Sequence, residues 1–159
     1  MRRALDGESA AAAAAIDAVV APEDFLGVES PVDIEERTQR YAAVATGTSS
    51  EGLWVLEKDA RIVGYATLTE RPRGVLSVGM ALVPEARRQG GGRALLDALV
   101  EHGKQSTAHK LDLEVWVDNA RAIGLYIAAG FVVEGIRRDH YRRRNGRLRS
   151  TMLMSLRID

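Results

Sequence analysis

A glycine-rich turn flanked by arginines is the stretch of this sequence with the clearest chemical potential. Gly90–Gly92 stand between an apolar run that stops at Pro84 and an apolar helical pattern that begins directly after them. Glycine has no β-carbon to keep a ligand from backbone N–H groups. A helix starting here also directs its free N–H groups and positive dipole end at that ligand. Because three arginines, Arg87, Arg88 and Arg93, add positive charge, the stretch predicts a binding site for a pyrophosphate group.

Two well-known phosphate-binding loops do not fit this turn. A Walker A loop ends in Gly-Lys-Ser/Thr, a run that does not occur in the sequence. In the dinucleotide fingerprint G-x-G-x-x-G, Gly90 and Gly92 fill the first two positions, but Leu95 stands at the third. Glycines at a strand–helix turn are also often purely structural, so this feature alone supports a structural role as well as a binding one.

A second block, residues 113–131, reads L-E-V-W-V-D-N-A-R-A-I-G-L-Y-I-A-A-G-F. It resembles the LEV…N..A..LY…GF segment of the GNAT superfamily, the acyl-CoA-dependent N-acyltransferases. The run Arg87-x-x-Gly90-x-Gly92 resembles the R/Q-x-x-G-x-G/A signature of the same superfamily. Both blocks stand in the family's order and separation. The resemblance covers about residues 50–158, with the first 50 only in outline, and is to ribosomal-protein alanine and amino-acid N-acetyltransferase types.

The resemblance implies acetyl-CoA as cosubstrate and no metal. It places the backbone of Met80, Ala81 and Leu82 against the pantetheine arm, on a bulged strand that splays from the next parallel strand. Backbone donors, a helix dipole and guanidinium groups would then hold the pyrophosphate. The loop that supplies them consists of Arg87, Arg88, Gln89, Gly90, Gly91, Gly92 and Arg93. Asn119 matches a family asparagine that binds pantetheine or substrate, although it also fits a plain helix cap.

Acetyl transfer to an amine needs a group that takes the ammonium proton and one that stabilises the leaving thiolate. The resemblance assigns Tyr126 as the general acid that faces the coenzyme A sulfur; without it, a core aromatic would be the favoured interpretation. Glu114 puts a carboxylate in an apolar strand, which favours a solvated cleft or a partner. It lies twelve positions before Tyr126, as does the proposed base of ribosomal-protein alanine N-acetyltransferases. We predict Glu114 as general base, with a plain charge pair as the alternative.

Local patterns predict the elements that position these residues. Helices are expected at residues 10–20 and 120–129, after Ser30 or Asp33, and from the glycine turn to about Ser106. Strands are expected at 2–5, 53–57, 61–70, 75–83, 111–117, 131–137 and 148–158. The predicted fold class is α/β, a GNAT-like, mostly antiparallel mixed sheet of about seven strands with four helices and splayed central parallel strands. We expect one domain over residues 1–159.

Composition narrows the classes of function. The 159 residues are 46% apolar, carry zero net charge and include no cysteine, which excludes disulfides, thiolate metal sites and a cysteine nucleophile. Zero net charge argues for no polyanionic partner. The N-terminal alanine run is broken by acids and no apolar run could span a bilayer, so we expect a cytoplasmic protein without a membrane partner. The three histidines, His102, His109 and His140, do not have the spacing of a metal site. We interpret the first of them, His102, as lying on a helix surface.

Two charged clusters point to different acceptors. The basic cluster comprises Arg137, Arg138, Arg142, Arg143, Arg144, Arg147 and Arg149. It would suit an acidic acceptor, a nucleotide or ribosomal RNA, although we favour a solvated hairpin paired with carboxylates such as Glu134 and Asp139. The acidic cluster, which would suit a cationic amine, comprises Glu23, Asp24, Glu29, Asp33, Glu35 and Glu36.

The predicted function is direct transfer of an acetyl group from acetyl-CoA to a primary amine in a ternary complex. The acceptor could be an amino acid, a peptide N-terminus or another small amine, and the sequence does not choose among them. A non-catalytic CoA-binding regulatory module and an RNA- or ribosome-associated protein stay as alternatives. Similar proteins often pair through the last strand, so a homodimer is also considered.

Overall fold

The computed structural model describes residues 1–5, 7–20, 29 and 31–159. Its helices are α1 (Ser9–Val20), α2 (Ile34–Ala45), α3 (Gly91–Lys104) and α4 (Ala120–Ala128). Its strands are β1 (Arg2–Arg3), β2 (Gly52–Lys58), β3 (Arg61–Arg71), β4 (Val75–Leu82), β5 (Lys110–Trp116), β6 (Val132–Arg142) and β7 (Leu148–Arg157). The candidate cap Ser30 and the acids Glu23 and Asp24 lie outside the described residues.

In the described ranges, the seven strands form one mixed sheet in the order β1-β2-β3-β4-β5-β7-β6. β4 and β5 are parallel, and every other neighbouring pair is antiparallel. The predicted α/β architecture, a mostly antiparallel sheet of about seven strands with four helices, is therefore confirmed.

Helices cover both faces of the sheet because the strands alternate their apolar side chains. In β2, Leu53 and Val55 pack around Tyr41 with α1 and α2, whereas Trp54 joins the core on the other face with α3 and α4. The side of α3 that meets this second core is fully buried and consists of Leu95, Leu96 and Leu99. Burying three leucines contributes about 1.5–3 kcal/mol each, which fixes α3 against the sheet.

Glycine is required at two positions of the turn, at Gly90 by the backbone conformation and at Gly91 by packing. Gly90 caps α3 with φ +82°, in the left-handed region where a β-carbon is unfavourable. Its carbonyl accepts a hydrogen bond from the Ala94 N–H at 3.0 Å, so the helix begins at once. A β-carbon on Gly91 would collide with the Leu56 side chain. Part of this glycine pattern is therefore structural.

The two parallel strands separate soon after they meet. β4 pairs with β5 only at Val75–Ser77 and 110–112, and beyond these residues each strand follows its other neighbour. β5 continues beside β7 as far as Trp116, and β4 continues beside β3 as far as Leu82. The implied splay is present. The implied bulge on β4 is wrong, because β4 pairs with β3 without a register shift. The gap therefore opens only because β4 stops pairing with β5.

The last hairpin and one histidine differ from the predictions. β6 runs to Arg142 instead of ending at Arg137, because an irregularity between Arg137 and Tyr141 lets pairing with β7 resume. His102 is half-buried and packs edge-on against Trp54, with ring centroids 4.9 Å apart, so it does not lie on an open helix surface. Burial lowers the pKa of His102, and the nearby Arg3 charge lowers this pKa further.

The helix ends agree with the capping residues predicted for them. Asp33 caps α2, its Oδ1 accepting a hydrogen bond from the Glu36 N–H at 2.9 Å. α3 ends at Lys104, slightly before the expected Ser106, with Gly103 inside the helix.

No helix in the described part of the chain is long and apolar enough to cross a membrane.

Two glycine substitutions should have opposite effects on stability. Gly90→Ala places a β-carbon at positive φ and should lower the free energy of unfolding by about 1–2 kcal/mol. Gly124→Ala, in the exposed interior of α4 where a β-carbon meets no neighbour within 4 Å, should raise it by about 0.5–1 kcal/mol. Urea-induced unfolding of both variants measures this. Equal effects of the same sign would show that the Gly90 conformation is misassigned.

Candidate active site

A cleft of about 510 Å³ opens where β4 and β5 separate. Leu113 and Val115 of β5 face the core beneath α3 and α4, so Glu114 between them faces the opposite side of the sheet. Residues from both sides line the cleft: Tyr126 comes from α4, and Arg37 comes from α2. The gap between the strands therefore gives access to one centre from two directions.

One wall of the cleft is the free edge of β4. Met80, Ala81 and Leu82 all line it. These residues pair with β3 on one side, and beyond Ser77 no strand pairs with the other side in the described chain. Alternate backbone N–H and C=O groups on that side therefore face the cleft, and a ligand can satisfy them.

The glycine turn closes one end of the cleft. Arg87, Arg88, Arg93, Gly90 and Gly92 line it. The Arg93 Nε donates to Asp97 Oδ1 at 2.8 Å, and the Arg87 Nε donates to the Leu82 carbonyl at 3.1 Å. These bonds hold two of the guanidinium groups beside the N-terminus of α3, where an anion is favoured.

Two residues of the predicted loop are not part of the cleft lining. Gln89 bonds to the Glu85 carbonyl at 2.8 Å and accepts from Lys58 Nζ at 2.9 Å. Gly91 faces Leu56. Neither residue is among those that line the cleft. Sequence position alone groups these two residues with their neighbours. In the structure, Gln89 contacts Glu85 and Lys58 and Gly91 faces Leu56, so neither faces the cleft.

Tyr126 brings a buried phenol to the cleft. It is 7% exposed, and its ring lies 5.8 Å from that of Phe131. Burial raises the pKa of Tyr126 to about 12, so the phenol is neutral at physiological pH. Its hydroxyl makes no hydrogen bond with the described part of the chain. Because Tyr126 lines the cleft, a ligand atom there can accept a hydrogen bond from this hydroxyl.

Glu114 is held by three donors on the opposite side of the sheet. Oε1 accepts from the Arg137 guanidinium at 2.6 Å, and Oε2 accepts from the Tyr141 hydroxyl at 2.9 Å and the Thr151 hydroxyl at 3.0 Å. An ionised carboxylate has about four acceptor positions. Oε2 is filled, and Oε1 retains one position for a water or an amine.

Several residues of the cleft were not predicted from the sequence: Arg37, Tyr65, Trp116, Arg121 and Thr151. Thr151 is opposite Trp116 in β7, so strand alternation on a known register would have found it. Burial and the Glu114 hydrogen bond raise the pKa of Tyr141, which keeps this phenol protonated as a donor. Asn119 lines the cleft and also caps α4, its side-chain oxygen accepting from the Ala122 N–H at 3.2 Å.

Two of the seven arginines in the hairpin are not solvated, although the other five are exposed as expected. Arg143 and Arg149 are buried, and their Cζ atoms lie 5.5 and 4.6 Å from the Trp116 ring centroid. Arg149 binds both oxygens of Asp118 at 2.6 and 2.8 Å. Arg143 pairs with Glu29 at 3.0 Å, which joins the basic cluster to the acidic one.

The predicted partners of the hairpin arginines are also wrong. Glu134 instead pairs with Lys110 at 2.6 Å and accepts from Ser155 at 2.7 Å. The Lys110 hydrogen bond is the main cause that lowers the pKa of Glu134. Asp139 uses its backbone N–H to bond the Ser150 hydroxyl at 2.9 Å. No group of three or more His, Asp or Glu side chains in the described ranges could hold a metal ion.

The model of the Acetyltransferase (GNAT) family matches residues 20–131. The chain belongs to the GNAT family. It is 40% identical over 79 residues to the [ribosomal protein bS18]-alanine N-acetyltransferase of Escherichia coli (strain K12), a match that covers 50% of this chain and 53% of that protein. The chain thus spans about half the length of the curated relatives it matches.

Solved structures of GNAT proteins share the fold over nearly the whole chain. The ribosomal-protein-alanine N-acetyltransferase of Brucella melitensis is 25% identical, with a TM-score of 0.87 and 98% of each chain covered. The phosphinothricin acetyltransferase of Sinorhizobium meliloti, in complex with acetyl-CoA, is 22% identical, with a TM-score of 0.84 and 98% of this chain and 86% of that chain covered.

Arg149 should contribute measurably to stability, whereas its exposed neighbour Arg138 should not. Arg149→Met removes two charge-assisted hydrogen bonds and a stacked guanidinium, so we expect the free energy of unfolding to fall by about 2 kcal/mol. This corresponds to a melting temperature about 4–8 °C lower. The matched control, Arg138→Met, should change little, because Arg138 is exposed. Equal melting temperatures for the two variants would contradict a structural role for Arg149.

Proposed function

We propose that this protein transfers an acetyl group from acetyl-CoA to a primary amine, with both substrates bound together. One observation carries the proposal: a single cleft joins an anion-binding helix terminus, an unpartnered phenol and a carboxylate with one open acceptor position. Family membership supports the class of reaction.

The donor half of the cleft fits acetyl-CoA by the chemistry of its residues. The free edge of β4 at Met80–Leu82 offers alternating amide donors and acceptors to a pantetheine arm, which has amides of its own. The N-terminus of α3 and the arginines beside Gly90 favour a pyrophosphate. The S. meliloti neighbour was solved with acetyl-CoA, which supports this assignment. Acetyl-CoA supplies a thioester whose carbonyl carbon the amine attacks.

Glu114 is proposed to accept the proton of the acceptor ammonium, directly or through one water. Arg137, Tyr141 and Thr151 fix the carboxylate, so the open position on Oε1 has a defined direction. The deprotonated amine then forms a C–N bond as the C–S bond breaks, and the electron pair leaves with the sulfur. The nitrogen, positively charged after the attack, then gives up its second proton to the departing thiolate, so the products are the N-acetylated amine and the thiol of coenzyme A.

Tyr126 is proposed to stabilise the departing sulfur as a hydrogen-bond donor. A thiol has a pKa of about 8.5, whereas burial raises the pKa of Tyr126 to about 12. Complete proton transfer from phenol to thiolate is therefore uphill by several kcal/mol. A charge-assisted hydrogen bond to the thiolate meets no such penalty. The predicted role of general acid is thus sharpened to that of a donor that keeps its proton.

Thiol release with acetyl-CoA tests the function itself. Amino acids, polyamines, aminoglycosides and peptides with free N-termini serve as the acceptor panel. At least one class should release thiol in proportion to acetylated product. A protein that binds acetyl-CoA yet releases no thiol with any amine would be the non-catalytic CoA-binding module instead.

Removing the Tyr126 hydroxyl should slow turnover without weakening donor binding. We expect Tyr126→Phe to lower kcat by about 10–100-fold, the effect of losing one charge-assisted hydrogen bond, with little change in KM for acetyl-CoA. Because the pKa of Tyr126 is about 12, its donor form is lost only as pH rises towards 12, so wild type should show no descending limb from this group between pH 6 and 10. Unchanged kcat would remove Tyr126 from the mechanism.

Replacing Glu114 by its amide should remove proton acceptance while keeping size. We expect Glu114→Gln to lower kcat/KM by about 100-fold and to flatten the rise of rate with pH on the acidic side. Glu101→Gln, on the exposed surface of α3, is the matched control and should match wild type. An unaltered pH profile in Glu114→Gln would assign the base to another group or to water.

We also propose that the protein acts in the cytoplasm and forms a homodimer. The curated relatives act on a ribosomal protein, by their names, which supports a cytoplasmic site of action. β6 is an edge strand with exposed Val132 and Val133, which supports pairing with a second copy.

A further inference from the structure

A smaller, polar pocket of about 110 Å³ adjoins the cleft between α2 and β3. Its polar lining consists of Arg37, Arg40, Tyr41, Tyr65, Thr67 and Thr69. Arg37, Tyr65 and Gly79 line both this pocket and the cleft, so the two spaces share a wall. The pocket is therefore a side chamber of the candidate active site, on the face of the sheet that also carries Glu114.

The charge of this chamber is one-sided. Among the residues that the structure describes, two guanidinium groups and four hydroxyls line it, and no carboxylate does. Neither Arg37 nor Arg40 forms an ion pair with the described part of the chain. Guanidinium groups present several donors in a fixed plane that matches the two oxygens of a carboxylate. A small oxyanion is the ligand that this set of donors favours.

The hydroxyls add donors that stay neutral. Tyr41 and Tyr65 are buried, with ring centroids 5.1 Å apart, and the Tyr41 hydroxyl interacts with both Tyr65 and Arg37. Burial raises the pKa of both phenols, so neither contributes a negative charge that would oppose an anion. Gly79 carries no side chain that would fill the chamber beside Thr67.

We propose that the acceptor is a small zwitterion, a free amino acid whose carboxylate binds at Arg37 and Arg40 while its amine is presented to Glu114. The inference rests on the proposed acetyltransferase function and names its acceptor class. Arg37 and Glu114 both line the cleft, which matches a molecule that carries both opposite charges. The N-terminus of a peptide would instead bring a neutral amide towards Arg37 and leave two guanidinium groups without an anion.

Matched pairs of acceptors test the carboxylate directly. Each free amino acid is compared with its own primary amide, which keeps the amine and side chain but removes the negative charge. With saturating acetyl-CoA, thiol release should give a kcat/KM at least tenfold higher for the acid than for the amide. Peptides that begin with the same residue should behave as the amides do.

Substitutions then locate the carboxylate site. Arg37→Gln and Arg40→Gln should each raise KM for the free amino acid at least tenfold with little change in kcat, and should raise KM for the amide by a smaller factor. Arg37→Lys keeps the charge and should recover part of the loss. Arg61→Gln, on the exposed start of β3, is the matched control and should not alter the preference.

The outcomes separate this inference from the function on which it rests. Equal rates with acid and amide, or faster acetylation of peptides, would overturn the zwitterion while leaving an acetyltransferase. If no amine releases thiol, the proposed function fails, and thermal shifts with the twenty amino acids in the presence of coenzyme A decide instead. A shift lost in Arg37→Gln would support the carboxylate site, and no shift with any amino acid would overturn it.

Discussion

The three-residue pairing of β4 with β5 is the constraint on which the rest of the structure depends. Each strand is committed to an antiparallel neighbour on its other side, so the twist of the sheet carries them apart beyond Ser77 and Asp112. Within the described chain, the separation leaves one edge of β4 beyond Ser77 without a strand partner at the centre of the sheet. Unsatisfied backbone groups are costly in a protein interior, and a bound amide-bearing molecule is one way to satisfy them.

The other parts of the site follow from this opening. The glycine turn places the N-terminus of α3 at one end of the gap, with Gly90 in a conformation that allows so abrupt a start. α4 brings Tyr126 from one face of the sheet, and β5 presents Glu114 to the other. Since the gap passes between the two strands, a donor and an acceptor can approach from opposite faces and meet without displacing each other.

The wall of the cleft that contains Trp116, Tyr141 and Thr151 packs around the Trp116 ring instead of extending into solvent. Arg143 and Arg149 lie within 5.5 Å of its ring centroid, Tyr141 packs edge-on against it at 5.4 Å, and Glu29 holds Arg143. Although the basic and acidic clusters suggest different acceptors when considered separately, Glu29 of the acidic cluster is joined to the basic cluster by ion pairs with Arg143 and Arg144. Tyr141 links this wall to the Glu114 carboxylate, so the stability of the hairpin and the orientation of the proposed base depend on shared contacts.

Sequence patterns predicted what is local or held in motifs, and missed what depends on register. The turn at Gly90–Gly92 and the strand order around it follow from local signals and the family resemblance. The donors to Glu114 come from β6 and β7, and they could not be placed because the irregularity between Arg137 and Tyr141 decides which side chains face β5. The burial of Arg143 and Arg149 was missed for a related reason: charge alone does not show that a tryptophan ring on a neighbouring strand will cover them.

A crystal structure of the protein with coenzyme A would test the central claim most directly. The account predicts the pantetheine along Met80–Leu82 in the gap between β4 and β5, the pyrophosphate at the glycine turn, and the sulfur within hydrogen-bonding distance of the Tyr126 hydroxyl. Coenzyme A bound outside this gap, or a sulfur out of reach of Tyr126, would contradict it.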